Sequence, residues 1–319
     1  MMPTSEVCAM PYRPLGRTGL DVSLIGFGAS PLGDVFGKTD PSEGKRAVHL
    51  AIENGINLFD VSPYYGLTLA EERLGEALVG KRNQIILATK CGRYGVDQFD
   101  FSAKRVFASV DESLQRLKTD YIDLYQAHDV EFGDLNQVIN ETIPAMRKLQ
   151  EQGKVRFVGI SGYPVKVLVQ VAKAAPVDTL LSYCRYNLLI NDMDVDLTPF
   201  AKENEIGLIN AAGLHMGVLT EEGAPAWHPA PHAVQKIGRE LAVTCRERGL
   251  NISSLALRYC LDHPYVSTTL VGMSKTNQVR QNLELLRIKT DLKLLAELRQ
   301  VIAPVFNRVW PSGRAENRS

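Results

Sequence analysis

Short apolar runs alternate with longer amphipathic stretches from one end of the chain to the other, and this rhythm predicts the elements. "SLIGFGAS" reads as a strand. "PSEGKRAVHLAIENG" reads as the helix behind it, with Pro41 at its start and Gly55 past its end. The pair then recurs: "NLFDVS" before "LAEERLGEALVG", "QIILATK" before "SAKRVFASVDESLQRLK", and "IDLYQAH" before "DLNQVINETIPAMRKLQEQG". "VRFVGISG" precedes "PVKVLVQVAKAA", and "TLLSYCRYN" precedes "DLTPFAKENE". "GLINAAG" leads into a long segment that reaches "AVQKIGRELAVTCRERG", and "STTLVGM" precedes "TNQVRQNLELL". The strands are apolar throughout, as parallel strands covered on both faces are. Eight such units predict an α/β fold, a closed (β/α)₈ TIM barrel. No GxGxxG follows the first strand, which argues against a Rossmann sheet.

Two segments interrupt the rhythm. "RPLGRTGLDVSLIG" has a glycine-punctuated hairpin pattern and is expected to close the barrel floor. "LTEEGAPAWHPAPHAVQ" is too long and proline-rich for an ordinary connection, and is expected to be an active-site loop. The first ten residues read as a flexible tail and residues 11–319 as one barrel domain. The 36 Lys and Arg balance the 36 Asp and Glu, so no net field favours nucleic acid or an anionic membrane. No apolar stretch is long enough to span a bilayer. Five scattered cysteines without a CxxC argue against a disulfide framework or zinc site and for the cytoplasm. His228 and His232 are four apart, but the prolines between them exclude a shared helical face, so no metal is expected.

In a barrel of this kind reactive side chains stand at the C-terminal ends of the strands. There the sequence puts Asp60 with Tyr65, then Lys90, His128 and Ser161. Singly, each has an ordinary reading: a capping aspartate, a snorkelling lysine, a satisfied core histidine. Together, titratable groups of complementary kind on three successive strands are not explained by packing.

The ordered motifs "FDVSPYYG", "LATK", "LYQAH" and "GISG" resemble the aldo-keto reductase superfamily over almost the whole chain. The resemblance maps that family's catalytic tetrad onto Asp60, Tyr65, Lys90 and His128, and leaves Tyr64 to packing. The chemistry is coherent. A phenol titrates near 10, too high for a base near neutrality. An ammonium held beside it is expected to lower that value, and a carboxylate to keep the ammonium charged. Asp60 would then orient Lys90, Lys90 tune Tyr65, and His128 direct the substrate oxygen.

The resemblance also implies a nicotinamide dinucleotide lying across the barrel mouth, against Gly28, Ala29, Ser161 and Tyr183 and past the backbone of Leu214 and Met216. Its adenosine end would meet "LVGMSKTNQVRQNLE", where Ser274 or Thr276 is expected to cap the helix and Asn282 to hold adenine. Family members that use NADP place Lys, Ser and Arg where this chain has Gly272, Met273 and Gln278, so NAD is expected over NADP; Lys275 and Arg280 lie nearby. Gly162 replaces an Asn that grips the carboxamide with Ser161, and Ala211 a stacking Tyr; Tyr183 or Tyr186 is expected to compensate. Ser30, Asp129, Cys184, Trp227 and Trp310 are candidates to line the substrate pocket. The resemblance implies oxidation of the anomeric hydroxyl of L-galactose to L-galactono-1,4-lactone, a step in plant ascorbate synthesis, by a monomer or weak homo-oligomer with a small-molecule sugar as its partner. The alternatives are an NADPH-dependent carbonyl reductase and a non-catalytic, cofactor-binding regulatory subunit.

Overall fold

The computed structural model describes residues 9–318. The tail expected over residues 1–10 falls almost wholly outside that range; Met10, within it, is buried. The chain enters through an antiparallel hairpin, β1 (Tyr12–Pro14) and β2 (Asp21–Ser23). Leu15 and Val22 project from it into a cluster with Leu58, Ile86, Ala88, Leu124, Leu181, Ile209 and Leu270. That cluster fills the barrel interior, so the hairpin closes the floor as its pattern predicts. Gly16 lies at φ +54°, and a Cβ there would come within 2.3 Å of Gly207 N, so this approach requires glycine.

Eight parallel strands then form the wall: β3 (Ile25–Gly28), β4 (Leu58–Asp60), β5 (Ile86–Cys91), β6 (Ile122–Ala127), β7 (Val155–Gly162), β8 (Thr179–Tyr183), β9 (Gly207–Ala211) and β10 (Thr268–Gly272). The last pairs with the first, Gly272 opposite Gly28, and the barrel closes. Asp60 pairs with Ala88 and Lys90 with Gln126. This register puts the ends of β4, β5 and β6 on one rim.

The helices are α1 (Pro41–Glu53), α2 (Leu69–Leu78), α3 (Ala103–Leu117), α4 (Leu135–Gln137), α5 (Ile143–Glu151), α6 (Val165–Ala174), α7 (Met193–Glu203), α8 (His232–Glu247), α9 (Ile252–Leu261), α10 (Thr276–Glu284) and α11 (Leu292–Ile302). Side-chain caps fix several starts: Asp40 accepts from Ser42 N with Pro41 in the first turn, and Ser102 accepts from Arg105 N. A π-helical segment, Val138–Thr142, joins α4 to α5, so the run expected there as one helix is two α segments across a π turn.

Two helices were not expected from the pattern. α9, rather than α8, packs against β10 and takes the outer-ring position between β9 and β10. α8 instead joins α11 and Trp310 in a second apolar cluster beside the barrel. An eight-unit count leaves α9 and α11 without a place, although α11 carries a clear apolar face in Leu294, Leu295, Leu298 and Ile302.

Candidate active site

The rim over β4–β6 is built from buried charge. Lys90, 1% exposed, donates to Asp60 Oδ1 at 2.5 Å and to the Val61 carbonyl at 2.8 Å. Asp60 Oδ2 accepts from Gln126 Nε2 at 3.1 Å, so both carboxylate oxygens are held. Burial works against both charges. At Lys90 the facing carboxylate outweighs it and the pKa rises, whereas at Asp60 burial prevails over Lys90 and raises the carboxyl. A buried pair of this kind is a positioning device more than a source of stability.

Tyr65 follows from a tight turn between β4 and α2, where Leu67 and Thr68 hold φ of 50° and 83°. Such conformations each cost about 1–3 kcal/mol and persist where the surroundings enforce them. The turn lifts the Tyr65 ring over the mouth, partly exposed, with the Lys90 ammonium 5.0 Å from its centroid. Burial pushes its hydroxyl up to about 12, Lys90 opposing. Lys90 pulls this pKa down, as expected of an ammonium beside a phenol, but desolvation outweighs that pull and the net shift is upward. Charge type can be read from a sequence, whereas the depth at which the charge lies cannot.

His128 stands beside it, the two rings edge to face at 5.7 Å. Burial lowers His128 to about 3, so the ring is neutral. Its Nδ1 lies 3.0 Å from the Ser62 hydroxyl, which itself accepts from Tyr64 N. Ser62 Oγ, already accepting from Tyr64 N, has its proton for Nδ1; in that tautomer Nε2 carries the ring proton as a donor, 3.7 Å from Asp129 Oδ2. Tyr64 lies under Arg93, whose guanidinium is 4.0 Å from its ring centroid and donates to Asp129 Oδ2 at 2.5 Å.

Ser62, Gln126 and Arg93 were not singled out in the sequence. Gln126 had a signal, a polar side chain inside an apolar strand. Ser62 and Arg93 had none beyond proximity to the motifs.

Around the other half of the mouth the expected residues divide. Gly28 and Gly272 pair on adjacent strands and leave the rim there without side chains, with Ala29 behind Gly28. Ser30, partly exposed, opens the turn that follows. The Ser161 hydroxyl accepts from Asp129 N at 3.4 Å, and Asp129 is within 3.7 Å of His128 Nε2. Leu214 and Met216 lie in the turn after β9, where His215 and Met216 have φ of 51° and 47°. Asn282 is buried in α10.

Gly162 has a specific neighbour. A Cβ there would come within 2.6 Å of Glu131 Oε2, so the missing Asn has its space taken by a buried glutamate. Glu131 Oε1 accepts from Tyr163 N and Ser312 Oγ and lies 3.5 Å from the Tyr183 hydroxyl. Burial raises its carboxyl to about 8. Tyr183 thus stands at the mouth, but Tyr186 does not: it stacks on Tyr259 at 5.2 Å inside the wall.

Burial and stacking set the places of the other expected residues. Cys184 is fully buried in the second apolar cluster, and burial raises its thiol. Cys91 is equally buried, its thiol pushed up to about 12. Trp310 stacks on Tyr163 at 4.4 Å and is 6% exposed. Trp227, on the long loop, is 55% exposed beside Phe36. Met273 turns its side chain into the core. Neither Ser274 nor Thr276 caps α10: Lys275 has the cap conformation, Gln278 Oε1 accepts from Ser274 N and Lys275 N, and Thr276 donates to Glu43.

His228 accepts from Ala230 N and hydrogen-bonds the His215 carbonyl, and His232 begins α8. Among the described residues no group of three or more side chains is placed to hold a metal. No described helix is long and apolar enough to cross a membrane.

The sequence profile of the Aldo/keto reductase family matches residues 24–303. The chain is 46% identical over 316 residues to an L-galactose dehydrogenase of Arabidopsis thaliana, covering 96% of this chain and 98% of that protein. It is 28% identical over 309 residues to a D-threo-aldose 1-dehydrogenase of Pseudomonas sp, covering 88% and 94%. A solved aldo-keto reductase of Bacillus halodurans, in holo form, superposes with a TM-score of 0.76 at 30% identity, over 97% of this chain and all of that one.

Proposed function

We propose, for a chain that belongs to the aldo/keto reductase family, that it oxidises the anomeric hydroxyl of L-galactose to the 1,4-lactone with NAD. The observation that carries the reaction type is the interlocked rim: Asp60, Lys90, Tyr65 and His128 brought together over three adjacent strands. The sugar and the oxidised carbon rest on similarity to two sugar dehydrogenases, one of them an aldose 1-dehydrogenase. A place in ascorbate synthesis and action as one barrel domain belong to the same reading.

The mouth fits a dinucleotide. The paired glycines Gly28 and Gly272 leave backbone open along one edge, and Ser161 and Tyr183 stand at the other. When bound, the oxidised dinucleotide supplies the hydride acceptor and a positive ring. The chain's own residues handle the proton. His128 Nε2–H donates to the C1 oxygen and fixes its direction, and Tyr65 Oη takes the proton from that oxygen. Lys90 favours the phenolate that accepts it, and Asp60 with Gln126 keeps Lys90 charged and immobile. Arg93 and Asp129, flanking His128, offer a donor and an acceptor to the remaining sugar hydroxyls.

NAD over NADP is supported by the neutral side chains at Gly272, Met273 and Gln278. A 2′-phosphate would lack charge-assisted hydrogen bonds worth about 1.5–3 kcal/mol each. Reduction of NAD and of NADP with a panel of aldoses tests this reading. L-galactose with NAD should give the highest kcat/KM, NADP being at least about tenfold poorer, since roughly 1.4 kcal/mol is a factor of ten. Efficient aldehyde reduction with NADPH and no aldose oxidation would make the chain a carbonyl reductase. Binding without turnover would make it a regulatory subunit.

A further inference from the structure

The start of α10 follows the eighth barrel strand, where barrels of this type commonly bind phosphate through the first amides of a helix. Here those amides are already engaged by the chain. Gln278 Oε1 accepts from Ser274 N at 2.9 Å and from Lys275 N at 3.1 Å. Thr276 N and Thr276 Oγ1 both donate to Glu43 Oε1, each at 2.7 Å. Glu43 comes from the first turn of α1, 233 positions away in sequence, and Arg46 holds its other oxygen at 2.7 Å. Accepting from Thr276 N keeps the Glu43 carboxyl low, at about 2, so it is an anion at any working pH.

We infer that Glu43 is a specificity-determining residue that excludes a 2′-phosphorylated dinucleotide: its carboxylate, with the Gln278 amide, fills the anion site at the start of α10. The inference rests on the reading of the chain as NAD-preferring and adds to it. Absence of a clamp leaves a 2′-phosphate without its charge-assisted partners. A fixed carboxylate adds a further penalty, because a dianionic phosphate would stand against a like charge and meet Ser274 N, Lys275 N and Thr276 N already engaged. The exposed Lys275 and Arg280 are close in sequence, but the amides that would orient a phosphate between them are taken.

Calorimetric titration with 5′-AMP and 2′,5′-ADP reads this without turnover. The wild-type protein should bind 2′,5′-ADP at least about tenfold more weakly than 5′-AMP. Glu43→Gln keeps an acceptor for Thr276 but removes the charge, and should cut that ratio by about tenfold or more. Glu43→Asp, which keeps the charge, should retain most of it. Raising the salt should narrow the wild-type ratio, because screening weakens the repulsion; this arm needs no variant. Equal binding of the two nucleotides by wild type would overturn the NAD reading and this inference with it. Discrimination by wild type that Glu43→Gln and salt both leave unchanged would overturn only the inference. A Glu43→Gln variant that weakens both ligands equally would make Glu43 a structural cap and overturn it too.

Discussion

The two halves of the barrel mouth are built differently. Over β4–β6 each candidate group is a side chain fixed by its immediate neighbours: Lys90 on Asp60, Asp60 on Gln126, His128 on Ser62. Over β7–β10 glycine, alanine and backbone make up most of the rim beside Ser161 and Tyr183, and its carboxylates arrive from elsewhere, Glu131 from the loop after β6 and Glu43 from α1. Proton transfer needs particular atoms at fixed distances, so it is carried by side chains at strand ends. Cofactor holding can be met by backbone and by whatever long-range partner fills the space, so it varies with the fold around it.

Lys90→Met separates the halves most sharply. Turnover should fall by about 10²–10⁴, the range for loss of general acid–base assistance, while dinucleotide affinity stays within severalfold of wild type. It also strands Asp60 in the interior, so a thermal melt should show a loss of about 3–5 kcal/mol. Steady-state kinetics beside a binding titration checks the split, and a matching loss of dinucleotide affinity would erase the distinction between the halves.

Gly162→Asn probes the other half. By family resemblance the substitution restores a cofactor contact; by this structure its Cβ meets Glu131 Oε2 at 2.6 Å. Overpacking at a buried site costs about 1–3 kcal/mol, so the melting temperature should drop with no gain in NAD affinity. Tighter NAD binding at unchanged stability would show that Glu131 does not own that space. Tyr64→Phe should have the smallest effect, kcat within severalfold, because Arg93 meets the face of its ring and the hydroxyl is not needed for that contact. A large loss of kcat would move the proton acceptor from Tyr65 to Tyr64.

This contrast also sets how much was legible in the sequence. The eight-strand rhythm and the floor hairpin were readable because buried parallel strands and glycine turns leave local patterns. Asp60, Tyr65, Lys90 and His128 were readable because each sits at a strand end, or one turn beyond it, inside a short motif. Glu43 was hidden in an ordinary amphipathic helix, and its partner Thr276 lies near the far end of the chain. The burial of Cys184 and Trp310 was hidden as well, because the second apolar cluster that holds them forms only when α8 and α11 pack together. The pull of Lys90 on Tyr65 was legible and the net shift was not, since that depends on a contest between burial and charge.

The central claim is that Tyr65 is the proton acceptor, and the pH dependence of sugar oxidation tests it most directly. With Tyr65 pushed up to about 12 in the protein alone, little of it is phenolate at neutrality, and that fraction grows as pH rises. His128, neutral above about 3, adds no limb near 6.5. The account predicts a wild-type kcat/KM for NAD-linked aldose oxidation that climbs through the alkaline range without a break near neutrality. It predicts that Tyr65→Phe lowers this by about 10² or more and removes the climb. A Tyr65→Phe protein within severalfold of wild type, with the same alkaline rise, would contradict it.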